Sequence, residues 1–293
     1  MRVGWLTSLA VSSVLVSPVL ADEWSHQYPV KGVPDVHVKT DDGSVKVAVA
    51  AGSQVGARVT TTGWRIAPDE VTVTESQSGD RVEIAVKLPR HHSGFGFGHR
   101  SVEIVLQVPR QANLDVQTGD GSIDVEPVSG HLSLSSGDGS ISAKGLAGDV
   151  RMHTGDGAIH ASGLDGRLTA DTGDGHMTVQ GRFELLDLGT GDGGIDAEVA
   201  PGSKVASAWS LHSGDGSITL RLPEDLAAAV EASTGDGHIS LDRPLTVTGE
   251  VSSNHLRGNL GAGGAPLKIH TGDGSIRLQS SGGHAPAEAP PKR

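Results

Sequence analysis

A tetrad recurs through this chain at a fixed step. Thr118-Gly119-Asp120-Gly121 returns as Ser136–Gly139, Thr154–Gly157, Thr172–Gly175 and Thr190–Gly193, each copy 18 residues after the last. Three further copies, starting at Ser213, Thr234 and Thr271, follow at looser spacing. A fixed period of this length marks a repeat architecture, and that constrains the fold more than any other feature of the sequence.

Each tetrad sits between alternating apolar residues. Leu132 and Leu134 precede one copy and Ile141 and Ala143 follow it; Leu168 and Ala170 precede another, with Met177 and Val179 after it. The positions between them are polar, for example Ser133, Ser142, Thr169 and Thr178. Alternation with period two describes strands with one buried face. Each unit therefore reads as strand, Gly-Asp-Gly turn, strand, with a second turn such as Lys144-Gly145-Leu146-Ala147-Gly148. One unit cannot bury its apolar face alone, so units must stack.

Two stackings satisfy the pattern. In a parallel β-helix-like solenoid each unit of about 18 residues is one coil, and equivalent residues form ladders. In an antiparallel β-meander each Gly-Asp closes a hairpin, placing Val116 opposite Ile123 and Leu114 opposite Val125. The second turn favours the solenoid. Leu146 and Leu164 suit the inward corner of a coil better than a two-residue hairpin turn. Either way the fold is all-β.

Val108-Pro109-Arg110, followed by Leu114-x-Val116-x-Thr118-Gly119-Asp120-Gly121-Ser122-Ile123 and its recurrences, resembles the bacterial adhesin-like β-strand-repeat family of unknown function, number 4097. The resemblance runs from about Val36 to Leu278. It implies a β-helix-like solenoid in the cell envelope, and it brings no catalytic residues to carry over.

The ends point to export. Residues 1–21 read as a secretory signal peptide: Arg2, a mostly apolar Val3–Leu20, and small residues at Val19-Leu20-Ala21. With that segment cleaved, no transmembrane span is expected, and the protein is expected in the periplasm, outside the cell or at the cell surface. The chain has no Cys, so neither a lipidated cysteine nor a disulfide framework is available. The net charge of −12 argues against nucleic acid and anionic membrane surfaces. Aromatics at 3% are too few for a conventional globular core of 293 residues, but thin layers of Val, Ile, Leu and Ala need no more.

The chain then divides as follows. Residues 22–33 read as a linker. Residues 34–110 form an N-terminal β region, with an early repeat copy at Thr40-Asp41-Asp42-Gly43 and an antiparallel cap made of longer strands. Residues 111–279 are the repeat solenoid. Within it, Val251 to Leu256 reads as a degenerate copy, and Pro223-Glu224-Asp225 as the start of a short helical turn. Residues 280–293, rich in Ser, Gly, Ala and Pro, are an expected disordered tail. A Gly-rich stretch holding His91, His92, Phe95, Phe97 and His99 is the candidate contact loop.

The main constellation is the Asp column: Asp120, Asp138, Asp156, Asp174, Asp192, Asp215, Asp236 and Asp273. Asp between glycines suits a turn, so the column reads first as structural. A calcium ladder is the sharper alternative, but Ca2+-binding β-rolls repeat their ligands about every nine residues rather than every 18. His153, His176, His212, His238 and His270 fall at outward positions beside the turns. No motif for metal, cofactor or nucleophilic catalysis appears, so no cofactor and no bound metal are expected. The function expected is therefore a non-enzymatic exported solenoid, adhesin-like, that binds an envelope protein or glycan. The alternative is a β-helix polysaccharide lyase or hydrolase. The scarcity of aromatic platforms favours the first.

Overall fold

In the computed structural model, which describes residues 21–89, 100–241 and 247–281, the repeat units stack in parallel. Leu134 lies between Val116 and Met152, one unit to either side. After the turn, Ile141 lies between Ile123 and Ile159. Val116 and Ile123 thus pair into different coils and not with each other, which excludes the meander. All 23 described strands join one hydrogen-bonded sheet, and no α-helix occurs among the described residues. Two 14-residue strands, Ile159–Thr172 and Met177–Thr190, run unbroken around the second corner and link the two faces of the solenoid.

The core is a file of thin layers. Leu168, Ala170, Met177 and Val179 fill one layer; Leu186, Leu188, Ile195 and Ala197 fill the next. Each large side chain so buried contributes roughly 1.5–3 kcal/mol. Leu146 and Leu164 occupy the second corner as expected. At the following corner Phe183 takes that place, edge-on to Trp209 at 6.4 Å between ring centroids. Trp209 is fully buried and donates its Nε1–H to the Glu184 carbonyl at 3.2 Å. The longer insertion Val199 to Ala208 leads the chain back to this bulky pair.

Layer order departs from chain order at both ends. Near the N-terminus, Arg81–Lys87 and Ser101–Val108 stack in parallel outside Asp35–Thr40 and Ser44–Val49, whose other side meets Asn113–Thr118 and Ile123–Val125. Residues 34–110 are therefore two full layers with antiparallel additions, not only a cap. Near the C-terminus, Pro266–Thr271 and Ile276–Ser280 slide between Trp209–Ser213/Ile218–Leu222 and Ala228–Thr234/Ile239–Leu241. The last coil in the chain is thus not the last in space.

Three segments differ from expectation. Residues 22–33 are no linker, because Ala21–Pro29 is a strand antiparallel to Gln54–Thr62. Trp24, His26 and Tyr28 stack along one side of it. Tyr28 is buried and donates a hydrogen bond to Glu75 on the opposite sheet edge, closing the N-terminal end. The stretch expected as a degenerate copy is instead an antiparallel hairpin of Val247–Val251 and His255–Leu260, laid antiparallel on Ala228–Thr234. Pro223 begins a turn closed by Leu226 N–H to its carbonyl at 3.2 Å, without a helix. The contact-loop residues His91, His92, Phe95, Phe97 and His99 lie outside the described residues, as do residues 1–20 and 282–293.

Candidate functional site

The Gly-Asp-Gly turns line one narrow edge of the solenoid, and their backbone explains their sequence. The Thr or Ser that opens each tetrad is buried. Its hydroxyl donates to a glycine carbonyl of the neighbouring layer: Thr154 to Gly139 at 2.9 Å, Thr172 to Gly157 at 2.9 Å, Ser213 to Gly193 at 2.8 Å. The same oxygen accepts the N–H of the second glycine in its own turn, as Gly175 N–H to Thr172 Oγ1 at 3.2 Å. The hydroxyls of Ser136, Thr154, Thr172, Thr190, Ser213 and Thr234 therefore each tie a turn both to itself and to its neighbour. This column runs from Thr118 to Thr271 and Thr234. Replacing a hydroxyl by an apolar group would leave buried backbone groups unpaired.

The glycines have a matching cause. None in the tetrads has positive φ. They are required by close approach: a Cβ on Gly175 would be driven into the Gly157 carbonyl, and one on Gly193 into the Gly175 carbonyl. The Asp residues likewise do not adopt the left-handed conformation that would suit Asp in such a turn.

The Asp column is brought together as one file, one carboxylate per layer. All eight residues are exposed, and none of their carboxylates has a hydrogen bond or ion pair to another described residue, while backbone N–H groups of the turn bond across layers, as Asp215 N–H to the Gly191 carbonyl at 3.1 Å. Layer exchange changes their order to Asp192, Asp215, Asp273, Asp236, and Asp42 extends the file at the other end. Among the described residues no three His, Cys, Asp or Glu side chains form a group that could hold a metal ion. Stacked layers stand ~4.8 Å apart, inside the Debye length of about 8 Å at physiological salt, so carboxylates of neighbouring layers repel one another through water. Changing Asp138, Asp156 and Asp174 together to Asn is therefore expected to leave the melting temperature unchanged or a few degrees higher. Millimolar calcium should raise the wild-type melting temperature little. Thermal melts of both chains, with calcium and with chelator, check this. Strong calcium stabilisation that the triple variant loses would make the file a cation ladder.

A groove of about 380 Å3, which no motif or spacing foreshadows, opens on the N-terminal part of the sheet face that precedes the turns. It lies beside the hairpin of Thr72–Ser78 and Arg81–Lys87, where Asp35–Thr40 and Asn113–Thr118 continue the sheet. Its acidic groups are engaged. Asp115 Oδ2 is 3.3 Å from His37 Nδ1, and Asp35 Oδ2 is 3.1 Å from His37 Nε2, though poorly aligned for a hydrogen bond. Glu83 accepts from Arg81 Nε at 2.8 Å, and that guanidinium holds its carboxyl below the usual range. Glu75 accepts from Tyr28, whose phenol burial pushes well above its usual value, with Glu75 adding to the shift. Thr74, Ser76, Lys39 and Gln117 add polar groups to the lining, and Val38, Ile84 and Ala85 apolar ones.

A family model, Toastrack DUF4097, matches residues 35–279. Among solved structures, the chain is similar to a putative adhesin from Parabacteroides merdae at 13% identity, covering 88% of this chain and 96% of that one with a TM-score of 0.46. It is similar to a putative lipid binding protein from Parabacteroides distasonis at 12% identity, with 88% and 96% covered and a TM-score of 0.43. It is also similar to a putative adhesin from Bacteroides fragilis at 8% identity, with 87% and 96% covered and a TM-score of 0.39. No curated protein matches the chain.

Proposed function

Since the chain belongs to the Toastrack family, DUF4097, we propose that it is a non-enzymatic binding protein, exported to the cell envelope, that presents its polar sheet face to a protein or glycan. One observation carries the reading. In the groove beside the N-terminal hairpin, Glu75 and Asp115 are committed to Tyr28 and His37 on other strands, and Glu83 to Arg81 on its own strand. Acid–base chemistry on a polysaccharide needs carboxylates free to exchange protons with the substrate. What the groove offers is Thr74, Ser76, Gln117 and the Lys39 ammonium, which suits recognition.

The test uses the mature chain, immobilised against envelope extract before and after periodate oxidation of glycans. A partner captured by wild type should be lost with Ser76→Trp, which fills the groove, and kept with Thr219→Trp on the face that follows the turns. Periodate sensitivity separates a glycan from a protein. Capture indifferent to Ser76→Trp would remove the groove from the reading. New reducing ends from a polysaccharide would instead establish the enzyme alternative.

Export makes its own prediction. Cleavage after Ala21 leaves Asp22 as the first residue, and its carboxylate accepts the Ile66 N–H at 3.0 Å within the end strand. The intact mass of the exported protein should correspond to a chain beginning at Asp22. A mass retaining residues 1–21 would make the protein membrane-anchored.

A further inference from the structure

The face that follows the turns is polar along most of its length. Asp124, Ser142, His160, Thr178, Asp196 and Thr219 stand outward on it in successive layers. Its N-terminal part departs from that pattern. Gly56, Val105 and Ala48 take outward positions there, on the neighbouring strands Gln54–Thr62, Ser101–Val108 and Ser44–Val49. These short or missing side chains leave two hollows of about 270 and 310 Å3, which meet at Val105. Together they make one trough across six strands, from Ala21–Pro29 at one end, over Ile123–Val125, to Ile141–Lys144 at the other. Five inter-strand steps of ~4.8 Å give it a length of roughly 24 Å.

The polar groups on its rim are unspent. Gln27 and Gln107 flank Gly56 in register, and Ser142 and Lys144 stand at the far end. None of these four side chains has a hydrogen bond or ion pair to another described residue. The charges nearly cancel. Arg58 Nε lies 3.4 Å from Glu23, and Lys46 Nζ lies 2.6 Å from Glu103. Glu126 accepts the Val49 N–H at 3.3 Å. Lys144 and Asp124 remain, one of each sign. The backbone beneath offers nothing further, because the inner strands spend their N–H and C=O groups in ladders on both sides. A peptide that binds a sheet through main-chain bonds needs an open edge, which the floor of this trough lacks.

We propose that the trough binds a neutral oligosaccharide laid across the strands. A sugar hydroxyl both donates and accepts, and the Gln27 and Gln107 amides can answer both roles. Val105 and Ala48 give the C–H faces of the rings an apolar floor, with the amides and Ser142 fixing their orientation. Near-cancelled charge gives no advantage to an acidic or a basic ligand. The trough and the groove beside the N-terminal hairpin lie on different faces, so occupancy of one does not depend on the other.

The labelled mature chain, applied to an array of cello-, xylo-, malto- and chito-oligosaccharides with oligogalacturonate as the acidic counterpart, tests this. Gly56→Ile fills the floor. An added Cβ there meets only the Gln107 side chain, at 3.3 Å, and the backbone is not left-handed, so the fold is kept. Gln107→Ala removes one amide from an exposed position. At least one neutral series should bind wild type. That binding should be lost with Gly56→Ile and weakened at least roughly tenfold with Gln107→Ala. It should be unchanged with Thr178→Ile, further along the same face, and with Ser76→Trp in the groove. Unchanged thermal melts confirm that each variant is folded. The proposal is overturned if no neutral series binds, if oligogalacturonate binds best, or if Gly56→Ile and Gln107→Ala bind as wild type does. Loss with Ser76→Trp alone would move the glycan to the groove, overturning the trough while leaving the proposed function standing.

Discussion

A chain lacking residues 154–171 should fold; a chain lacking residues 154–162 should not. The first deletion removes one whole turn of the solenoid and joins His153 to Thr172, which occupies the frame that Thr154 held. Val150 and Met152 then meet Leu186 and Leu188, and Ile141 meets Met177, each the same kind of buried contact as before. The cost is about one layer, roughly 1–3 kcal/mol at the usual stability per residue. The second deletion removes the turn at Gly155-Asp156-Gly157 together with Ile159 and Ala161, and leaves no strand to cross the second face. Circular dichroism, size-exclusion chromatography and thermal melts distinguish the two. Equal tolerance, or equal collapse, would show that 18 residues are not the structural unit.

A single methyl group should do comparable damage in the turn column. Gly175→Ala puts a Cβ into the Gly157 carbonyl and crowds Thr172 Oγ1, and both groups belong to the hydroxyl ladder. Neither can retreat, since the layers are held at hydrogen-bond distance on both sides. The expected cost is at least about 3 kcal/mol. For a chain of this size that is a fall in melting temperature of roughly 6–12 °C, or insoluble protein. Gly79→Ala is the informative contrast: that glycine has φ 62° at a hairpin tip, where an added Cβ meets nothing. Its cost should reflect backbone strain alone, about 1–2 kcal/mol. If Gly175→Ala melted like wild type, close stacking would not be the reason for the repeated glycines.

Much of the architecture is legible because it is periodic. The alternation around each tetrad identifies Leu132, Leu134, Ile141 and Ala143 as buried, and the repetition of the frame identifies the stacking direction. The role of the tetrad itself was only half legible. Gly-Asp-Gly has the composition of a turn with unusual dihedral angles, but the glycines stand there to let carbonyls of adjacent layers approach. The buried Thr or Ser was visible as an invariant of the internal repeat, yet its hydroxyl bonds cross between layers and exist only once the layers are stacked. The strand Ala21–Pro29 carried a signal in the spacing of Trp24, His26 and Tyr28, masked by the polar residues around them. Layer order carried no signal. Identical frames accept any neighbour, so the sequence alone could not show that His270 sits beside His212 or that Asp273 comes before Asp236 in space.

The displaced final coil also sets the order of assembly. A chain that emerges N-terminus first, from the ribosome or in the export proposed above, can add layers as they emerge, up to the one that carries Ser213. The layer that carries Thr234 emerges next, before the coil at 266–280 that separates it from the Ser213 layer in the finished structure. The far end of the molecule therefore stays unsealed until the last strands arrive, and then two layers and the covering hairpin settle together. A chain cut short by even a few dozen residues loses more than its missing coil: it leaves an open strand edge at Ser213 and an orphaned layer behind it. The segment of residues 266–280 works as a latch between the two layers that precede it in the chain.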